Sequence, residues 1–214
     1  GFHINHKREQ RIMHDLKLFG KRPKEKYHSY KGEVGKVAGN IIQRNFKADR
    51  PLQKWTTDVT QFHFSWGKCY LSPILDMNTN EIISYDLSMI PNLNQIKRML
   101  NRAFKKFRNL QGLIMHSDQG WQYQHEYYRS ELKKHGIIQS MSRKGNCYDN
   151  SIMETFFGRM KNEMYYGSEK EYTSFKVFAK AVKEYIHYFN KERIQKKTKW
   201  MPPEIYRETS TNAI

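Results

Sequence analysis

The sequence is poor in cysteine and in acidic residues, and it has no long apolar run. Its 214 residues include only two cysteines, Cys69 and Cys147, which are far apart and form no Cys-x-x-Cys pair. A structural zinc site is therefore not expected. Free thiols and the lack of a signal peptide predict a reducing, cytosolic environment. Without a long apolar run, no membrane span is predicted.

Positive charge, by contrast, is in large excess. Lysine and arginine total 38 against 21 acidic residues, a net charge of +17. This excess predicts a polyanionic partner, because each phosphate contact releases condensed counterions; the alternative is a basic but merely solvated surface. Residues 1–54 carry a net charge of +9 and residues 55–116 only +3. We therefore expect a basic arm lying on phosphates, followed by the core of a sheet.

The apolar periodicity predicts an α/β fold. The first prediction is a helix over residues 4–19, stopped by Gly20, and then a basic linker. The later elements are strands at 55–64, 68–77, 81–88, 113–116 and 137–141, and helices at 94–107, 125–135, 151–165 and 175–193. Three hairpin-linked strands followed by crossover units predict a mixed five-stranded sheet flanked by helices, the layout of a ribonuclease-H-like domain.

This pattern predicts three regions. Residues 1–50 form a basic helical arm and linker, residues 51–170 a catalytic core, and residues 171–214 a C-terminal helix and tail packed on the core. The chain begins at Gly1 rather than Met, which indicates an excised fragment or a processed tag.

Three carboxylates on three different predicted elements are the main functional candidates. Asp58 lies in the strand motif Trp-Thr-Thr-Asp-Val-Thr, and Asp118 follows a strand in His-Ser-Asp-Gln-Gly. Glu154 lies in the first turn of a helix, and thirty-five residues separate it from Asp118. Strand alternation predicts that Asp58 points to the face opposite Thr57 and Val59. Functional groups tend to lie beyond the carboxyl ends of strands in open α/β sheets, which fits Asp118.

Each carboxylate also has a structural interpretation. Asp58 could face solvent at a sheet edge, and Asp118 could be a turn aspartate before glycine. Glu154 could complete a capping box with Ser151.

Together the three carboxylates favour a metal site. Unpaired carboxylates at close range repel, so their grouping implies a cation. Oxygen ligands without clustered histidine or cysteine select Mg²⁺, or Mn²⁺ as a substitute, over Zn²⁺. Two such ions, roughly 3.5–4 Å apart, stabilise the attacking and leaving oxygens of a phosphoryl displacement. Asp76, Asp86 and Asp149 are competing carboxylates, and we interpret Asp76 and Asp149 as turn formers beside asparagine.

Five side chains are candidates for contacts with DNA phosphate. Lys161 lies nearly two turns after Glu154 on the same helix face, and Arg159 is close to it in sequence. Arg143 and Lys144 lie in a polar loop, which could be a mobile flap over DNA or only a flexible connector. His116 could act near the scissile phosphate or be an ordinary histidine at a strand end.

The motifs around these residues resemble those of bacterial insertion-sequence transposases, within the retroviral-integrase-like superfamily of Asp-Asp-Glu recombinases. The resemblance covers about residues 51–206. It rests on the motifs at residues 55–60, 116–123 and 142–157, on the spacing of Asp118 and Glu154, and on the tail at 188–204.

The resemblance implies a function and a set of partners. Asp58, Asp118 and Glu154 would bind the metal ions, and metal-activated water would cut one strand at an element end. The freed 3′-hydroxyl would then attack a second phosphodiester directly, joining one end to the other through a bridged intermediate and a circle. Relatives act as multimers on paired ends of double-stranded DNA, so we expect a homo-oligomer.

The N-terminal region departs from retroviral integrases. Those proteins carry a His/Cys zinc module, whereas His3, His6, His14 and His28 have no cysteine partners here. The segment at residues 4–7 resembles the end of a helix-turn-helix-type module. An upstream DNA-binding region, often encoded in an overlapping frame, is therefore an expected partner.

Two other functions remain open at this point. The chain could be a ribonuclease-H-like nuclease that hydrolyses without joining, or a catalytically silent DNA-binding protein derived from a transposase. Each of these functions predicts a bacterial cytoplasmic protein associated with the nucleoid.

Overall fold

A computed structural model describes residues 5–18 and 37–211. Helix α1 (His6–Asp15) begins where the side chain of Asn5 accepts a hydrogen bond from the backbone of Lys7, and it buries no residue. The predicted stop at Gly20, residues 20–36 of the predicted linker, and His3 and His28 lie outside the described residues.

The centre of the fold is a mixed sheet of six strands. The strands are β1 (Lys54–Thr57), β2 (Thr60–Phe64), β3 (Gly67–Asp76), β4 (Ile82–Ser88), β5 (Ile114–Ser117) and β6 (Ile138–Met141). Strands β1 and β2 both pair antiparallel with the long strand β3, and β4 pairs with its other edge. Strands β5 and β6 extend the sheet in parallel from β1.

The sequence predicted five strands, but the sheet has six. The predicted strand at 55–64 is broken into β1 and β2. Strands β1 and β2 pair with β3 in one continuous register, so that Asp58 stands across from Pro73. Because Met77 donates to the Lys54 carbonyl, the alternation of an antiparallel ladder would require Pro73 to donate to Asp58. Proline has no N–H, so the ladder is interrupted at Asp58 and Val59.

The helices cover both faces of the sheet. They are α2 (Leu93–Lys106), α3 (Trp121–Gln124), α4 (Glu126–Lys134), α5 (Ser151–Met164), α6 (Phe175–Lys191) and α7 (Pro203–Thr211). The predicted helix at 125–135 is present as α4, which ends just before Gly136, whose φ of +65° suits glycine. The short helix α3 before it was not predicted. Helix α7 was not predicted, because the sequence indicated only an irregular tail after the helix at 175–193.

Each face of the sheet has its own apolar core. On one face, the predicted stripe of α2, including Ile96, Met99 and Leu100, packs against Trp55 and Met115. On the other face, α5 and α6 pack against Phe62 and its neighbours, with Phe178 of α6 fully buried. Burying a large apolar side chain contributes roughly 1.5–3 kcal/mol, so α6 is firmly attached to the sheet.

The end of the predicted linker also packs on the sheet. Ile42 and Ala48 are buried with Met77, although this segment has no regular helix or strand. Asp76 is fully buried and accepts hydrogen bonds from Trp55 Nε1 and the Leu52 backbone, besides those of its own turn. Its turn-forming role therefore extends to anchoring this segment. None of the described helices has the length and apolar character needed to cross a membrane.

Candidate active site

Asp58 occupies the break between β1 and β2. Its carboxylate accepts the Val59 N–H at 2.7 Å. The neighbouring Thr57 contacts Met99 on the α2 face, and Val59 packs into the same core, so the predicted alternation is confirmed. Burial, and next the charge of Asp118, raise the pKa of Asp58 well above its usual range, and the charge of Glu154 adds to the rise.

Asp118 lies immediately after β5, which is parallel to and paired with β1. Its Oδ1 accepts the Gly120 N–H at 2.9 Å, so it does form the expected turn. Burial raises the pKa of this carboxyl. The turn and the functional interpretation are compatible, because the turn holds one carboxylate oxygen and leaves the other for a ligand.

Glu154 is on the first turns of α5 but does not form a capping box. The residue at the N-cap is Asn150, so Ser151 already belongs to the helix and its spacing to Glu154 is wrong for the motif. Glu154 is exposed and makes no hydrogen bond or ion pair with the described residues. Partial burial raises its pKa. Its carboxylate is thus available to turn toward Asp58.

The three carboxylates have the chemistry of a divalent-metal site, but their side chains are not close enough together to coordinate one ion. Within residues 5–18 and 37–211, no three His, Cys, Asp or Glu side chains stand close enough to hold an ion as they are placed. The negative charges of Asp118 and Glu154 nevertheless both raise the pKa of Asp58. Water-poor, mutually repelling carboxylates fit a cation of the Mg²⁺ type, which favours all-oxygen ligands.

Of the two basic candidates on α5, Lys161 faces the carboxylates and Arg159 does not. Lys161 Nζ lies 5.2 Å from the Phe62 ring centroid. Burial lowers the pKa of Lys161, and the charge of Asp58 opposes that shift. Arg159 is on another side of the helix, where its charge acts on the hydroxyl of Tyr185 in α6.

His116 is fully buried, which does not fit the expected contact with phosphate. Its Nε2 lies 2.8 Å from the Asp149 carbonyl, and its Nδ1 lies 2.9 Å from Ser140 Oγ. A carbonyl can only accept, so Nε2 must carry the proton. Burial lowers the pKa of His116, which favours the neutral ring. The histidine therefore joins β5 to β6 and to the loop before α5.

Asp149, interpreted from the sequence as a turn former beside asparagine, has a larger structural role. Its side chain is fully buried and accepts hydrogen bonds from the Arg143, Arg44 and Asn40 side chains. Hydrogen bonds from Arg143 hold the pKa of Asp149 well below its usual range. Arg143, proposed as a phosphate contact, is thus already committed to a carboxylate through two nitrogens.

Asn150 is the second residue that the sequence interpretation missed. Its Oδ1 accepts a hydrogen bond from Thr56 Oγ1 at 2.7 Å, and its Nδ2 lies 3.5 Å from the Thr57 carbonyl. These partners are more than ninety residues apart in sequence, so no local pattern could indicate the contact. An asparagine at the start of a predicted helix indicates only a cap.

The rest of the loop before α5 is open to solvent. Lys144 is exposed and makes no ion pair with any residue that the structure describes. Tyr148 is 69% exposed, and its ring lies 5.7 Å from the Arg44 guanidinium. The exposed part of the loop thus presents positive and aromatic groups to solvent.

Comparison with known proteins places the chain in a family. The family model for the integrase core domain matches residues 48–147, and a second model of the same description matches residues 154–210. A transposase-like protein of Haemophilus influenzae is 54% identical over 98% of this chain and 95% of its own length. The putative transposase InsK for insertion sequence element IS150 of Escherichia coli is 49% identical over 97% of this chain and 72% of its own length.

Solved structures share the fold at low sequence identity. The HTLV-2 integrase catalytic core domain in complex with magnesium superposes with a TM-score of 0.60 at 14% identity, covering 75% of this chain and 99% of that chain. The simian T-cell lymphotropic virus intasome gives 0.59 at 13% identity, covering 90% and 63%. These likenesses confirm the predicted ribonuclease-H-like fold. The family models and the relatives show that the chain belongs to the insertion-sequence DNA transposases built on an integrase core, a family of polynucleotidyl transferases.

Proposed function

We propose that this transposase cuts a strand at the end of its element and joins the freed 3′-hydroxyl to another DNA strand, at a centre formed by Asp58, Asp118 and Glu154. The observation that carries the proposal is geometric: Asp58 and Asp118 directly follow the paired parallel strands β1 and β5. The charges of Asp118 and Glu154 both raise the pKa of Asp58. Repulsion of this kind is retained where a ligand cation offsets it.

Two Mg²⁺ ions are the proposed cofactor, with Mn²⁺ as a substitute, because oxygen ligands without clustered histidine or cysteine select such cations. 

The HTLV-2 integrase core of similar fold was solved with magnesium. When bound, such ions stabilise the attacking and leaving oxygens of the displaced phosphodiester. Removing divalent ions with a chelator should therefore stop both cutting and joining, and Mg²⁺ or Mn²⁺ should restore them.

The chain's own residues have distinct roles in this proposal. Asp58 and Asp118 would hold the cations from positions directly after the adjacent parallel strands β1 and β5, where the sheet fixes the separation of their backbones. Glu154 supplies the third carboxylate from a helix, and its side chain can turn because it has no partner among the described residues. Lys161 lies beside Asp58 and is placed to hold a DNA phosphate at the same point.

The substrate and assembly follow from the family. We propose double-stranded DNA as substrate and a homo-oligomer on paired element ends, which is consistent with the viral relative of similar fold being an intasome. Residues 1–50 would serve as a basic arm, 51–170 as the catalytic core, and 171–214 as its C-terminal support. An upstream DNA-binding region would recognise the ends, and a DNA substrate would keep the protein at the bacterial nucleoid in the cytoplasm.

The experiment that tests this function is product analysis on a labelled duplex carrying an element end. Joined strands indicate a transposase, nicks alone a nuclease, and neither product a silent DNA-binding protein. Glu154→Gln should abolish both products while DNA binding and melting temperature are kept. Glu184→Gln, an equivalent change at an exposed site on α6, is the matched control and should behave like the unmodified protein.

A further inference from the structure

The start of α5 is tied directly to the strand that carries Asp58. Thr56 Oγ1 donates to Asn150 Oδ1 at 2.7 Å, and both residues are buried. Thr56 precedes Asp58 by two residues, a distance of about 6.6 Å along a strand. Asn150 precedes Glu154 by four residues, about 6 Å along a helix. One hydrogen bond therefore spans the two elements close to both carboxylates.

A second contact ties the same point to the strand that carries Asp118. His116 Nε2 lies 2.8 Å from the carbonyl oxygen of Asp149, the neighbour of Asn150. His116 precedes Asp118 by two residues, just as Thr56 precedes Asp58. Asp149 and Asn150 thus join β1 and β5, which end just before Asp58 and Asp118, to the start of α5, which carries Glu154.

We infer that Thr56, His116, Asp149 and Asn150 are positioning residues that fix the backbone under Glu154 relative to Asp58 and Asp118. The inference rests on the proposed function of the three carboxylates. It adds residues that touch neither DNA nor metal and act through the backbone that they hold.

The geometry gives a physical reason for such a device. Glu154 makes no hydrogen bond or ion pair with the described residues, so its position depends on the helix alone. Catalytic groups need to be held within about 0.5 Å of their productive geometry. Without the contacts of Asn150 and Asp149, the start of α5 would be held only by apolar packing, through Ile152 and Met153.

The test uses substitutions on both sides of the hydrogen bond between Thr56 and Asn150. Thr56→Val removes the hydroxyl that donates to Asn150, and Thr56→Ser returns a hydroxyl as a rescue. Asn150→Ala removes the acceptor from the other side. Thr209→Val and Asn101→Ala, at exposed positions on α7 and α2, are the matched controls.

Four quantities would be measured for each variant: melting temperature, DNA affinity, strand-joining rate and Mn²⁺ binding. Mn²⁺ binding to the protein–duplex complex would be followed by electron paramagnetic resonance, with the duplex alone subtracted. Loss of a residue that orients metal ligands typically weakens metal binding or activity by about 10–100-fold. We expect Thr56→Val to weaken Mn²⁺ binding about 10-fold and to lower the joining rate with unchanged DNA affinity. Thr56→Ser should restore both.

The outcomes separate this inference from the proposed function. If Glu154→Gln weakens Mn²⁺ binding but folded Thr56→Val does not, the positioning role is wrong and the metal site stands. If Glu154→Gln leaves Mn²⁺ binding unchanged, both are overturned. If Asn150→Ala fails to fold, Thr56→Val decides the question, because valine keeps the buried volume of threonine.

Discussion

Pro73 stands directly across the sheet from Asp58, at the one place in this ladder where an N–H would otherwise be donated to the Asp58 backbone. The chain here combines a regular register with a local loss of pairing. Thr57 Oγ1 donates to the Pro73 carbonyl at 2.8 Å and so uses the acceptor that the interrupted ladder leaves. An aspartate that is disfavoured inside a strand is thereby accommodated between two strands.

Replacing this proline should close the break. Pro73→Ala supplies the missing N–H, so we expect the Asp58 backbone to be drawn toward β3 and the joining rate to fall about 10-fold or more, since misplacement of about 1 Å can cost 10²-fold. Hydrogen exchange at residue 73 would report the new bond. Pro91→Ala, in an exposed loop, is the control. A protected amide with full activity would show that the break is irrelevant to catalysis.

Removing one of the repelling charges should stabilise the metal-free protein. Asp118→Asn keeps the size of the side chain and can still accept the Gly120 N–H. We expect its melting temperature to exceed that of the unmodified protein by about 2–4 °C at pH 7, the shift that about 1 kcal/mol produces in a domain of this size. Added Mn²⁺ should stabilise the unmodified protein more than the variant. A lower melting temperature for the variant would contradict the repulsion.

The same pair predicts a pH dependence of known sign. The folded-state pKa values of Asp58 and Asp118 are raised from 3.8, so between 3.8 and those values the folded protein binds more protons than the unfolded one. Stability from these groups is therefore present below pH 3.8 and lost as pH rises through the raised values. The difference in melting temperature between Asp118→Asn and the unmodified protein should grow as pH rises from 4 to 7. A difference independent of pH would contradict the pKa shifts.

Lys161 and Arg159 should differ in their effect on DNA binding. If Lys161 holds one phosphate, Lys161→Ala should reduce the slope of log K against log salt concentration by about 1. Arg159→Ala should leave the slope unchanged, because Arg159 lies toward Tyr185. Titration of a fluorescent duplex at several salt concentrations would measure both slopes. Equal slopes for the two variants would remove the reason to assign Lys161 to DNA.

The two arginines on Asp149 should be coupled in stability. Arg44 and Arg143 are about half exposed, whereas the Asp149 side chain is fully buried. Loss of either arginine alone should cost little stability, because the other still pairs with the Asp149 carboxylate. Losing both leaves a buried carboxylate without a cationic partner, so the double variant should be less stable than the sum of the single losses by about 1–3 kcal/mol. Urea unfolding of the four proteins would measure the coupling, and simple additivity would contradict it.

Periodicity predicted most of the fold because the core of this protein is built on it. The stripe of α2 from Ile96 to Phe104 and the alternation around Asp58 both follow the expected spacing. The break at Asp58 was missed because it depends on Pro73, which lies on a different strand. Helix α7 was missed because one of the contacts that hold it is not local in sequence. Arg207 of this helix donates to Glu81, which is more than a hundred residues away.

The candidate site could be predicted only in part for a related reason. Asp58, Asp118 and Glu154 lie in recognisable motifs, so their chemistry is visible in the sequence. The functions of His116 and Asp149 depend on partners such as Ser140 and Arg44, which the fold brings together from distant segments. A buried histidine with both nitrogens bonded and a reactive surface histidine look the same in a sequence.

The central claim is that Asp58, Asp118 and Glu154 hold divalent cations, and an anomalous-difference map tests it most directly. Crystals of the protein, free and bound to duplex DNA, would be soaked in saturating Mn²⁺. We predict a peak between the Asp58 and Asp118 carboxylates, and in the DNA complex a position that Glu154 also reaches. Density for manganese elsewhere, with none between the two aspartates in either crystal, would contradict the account.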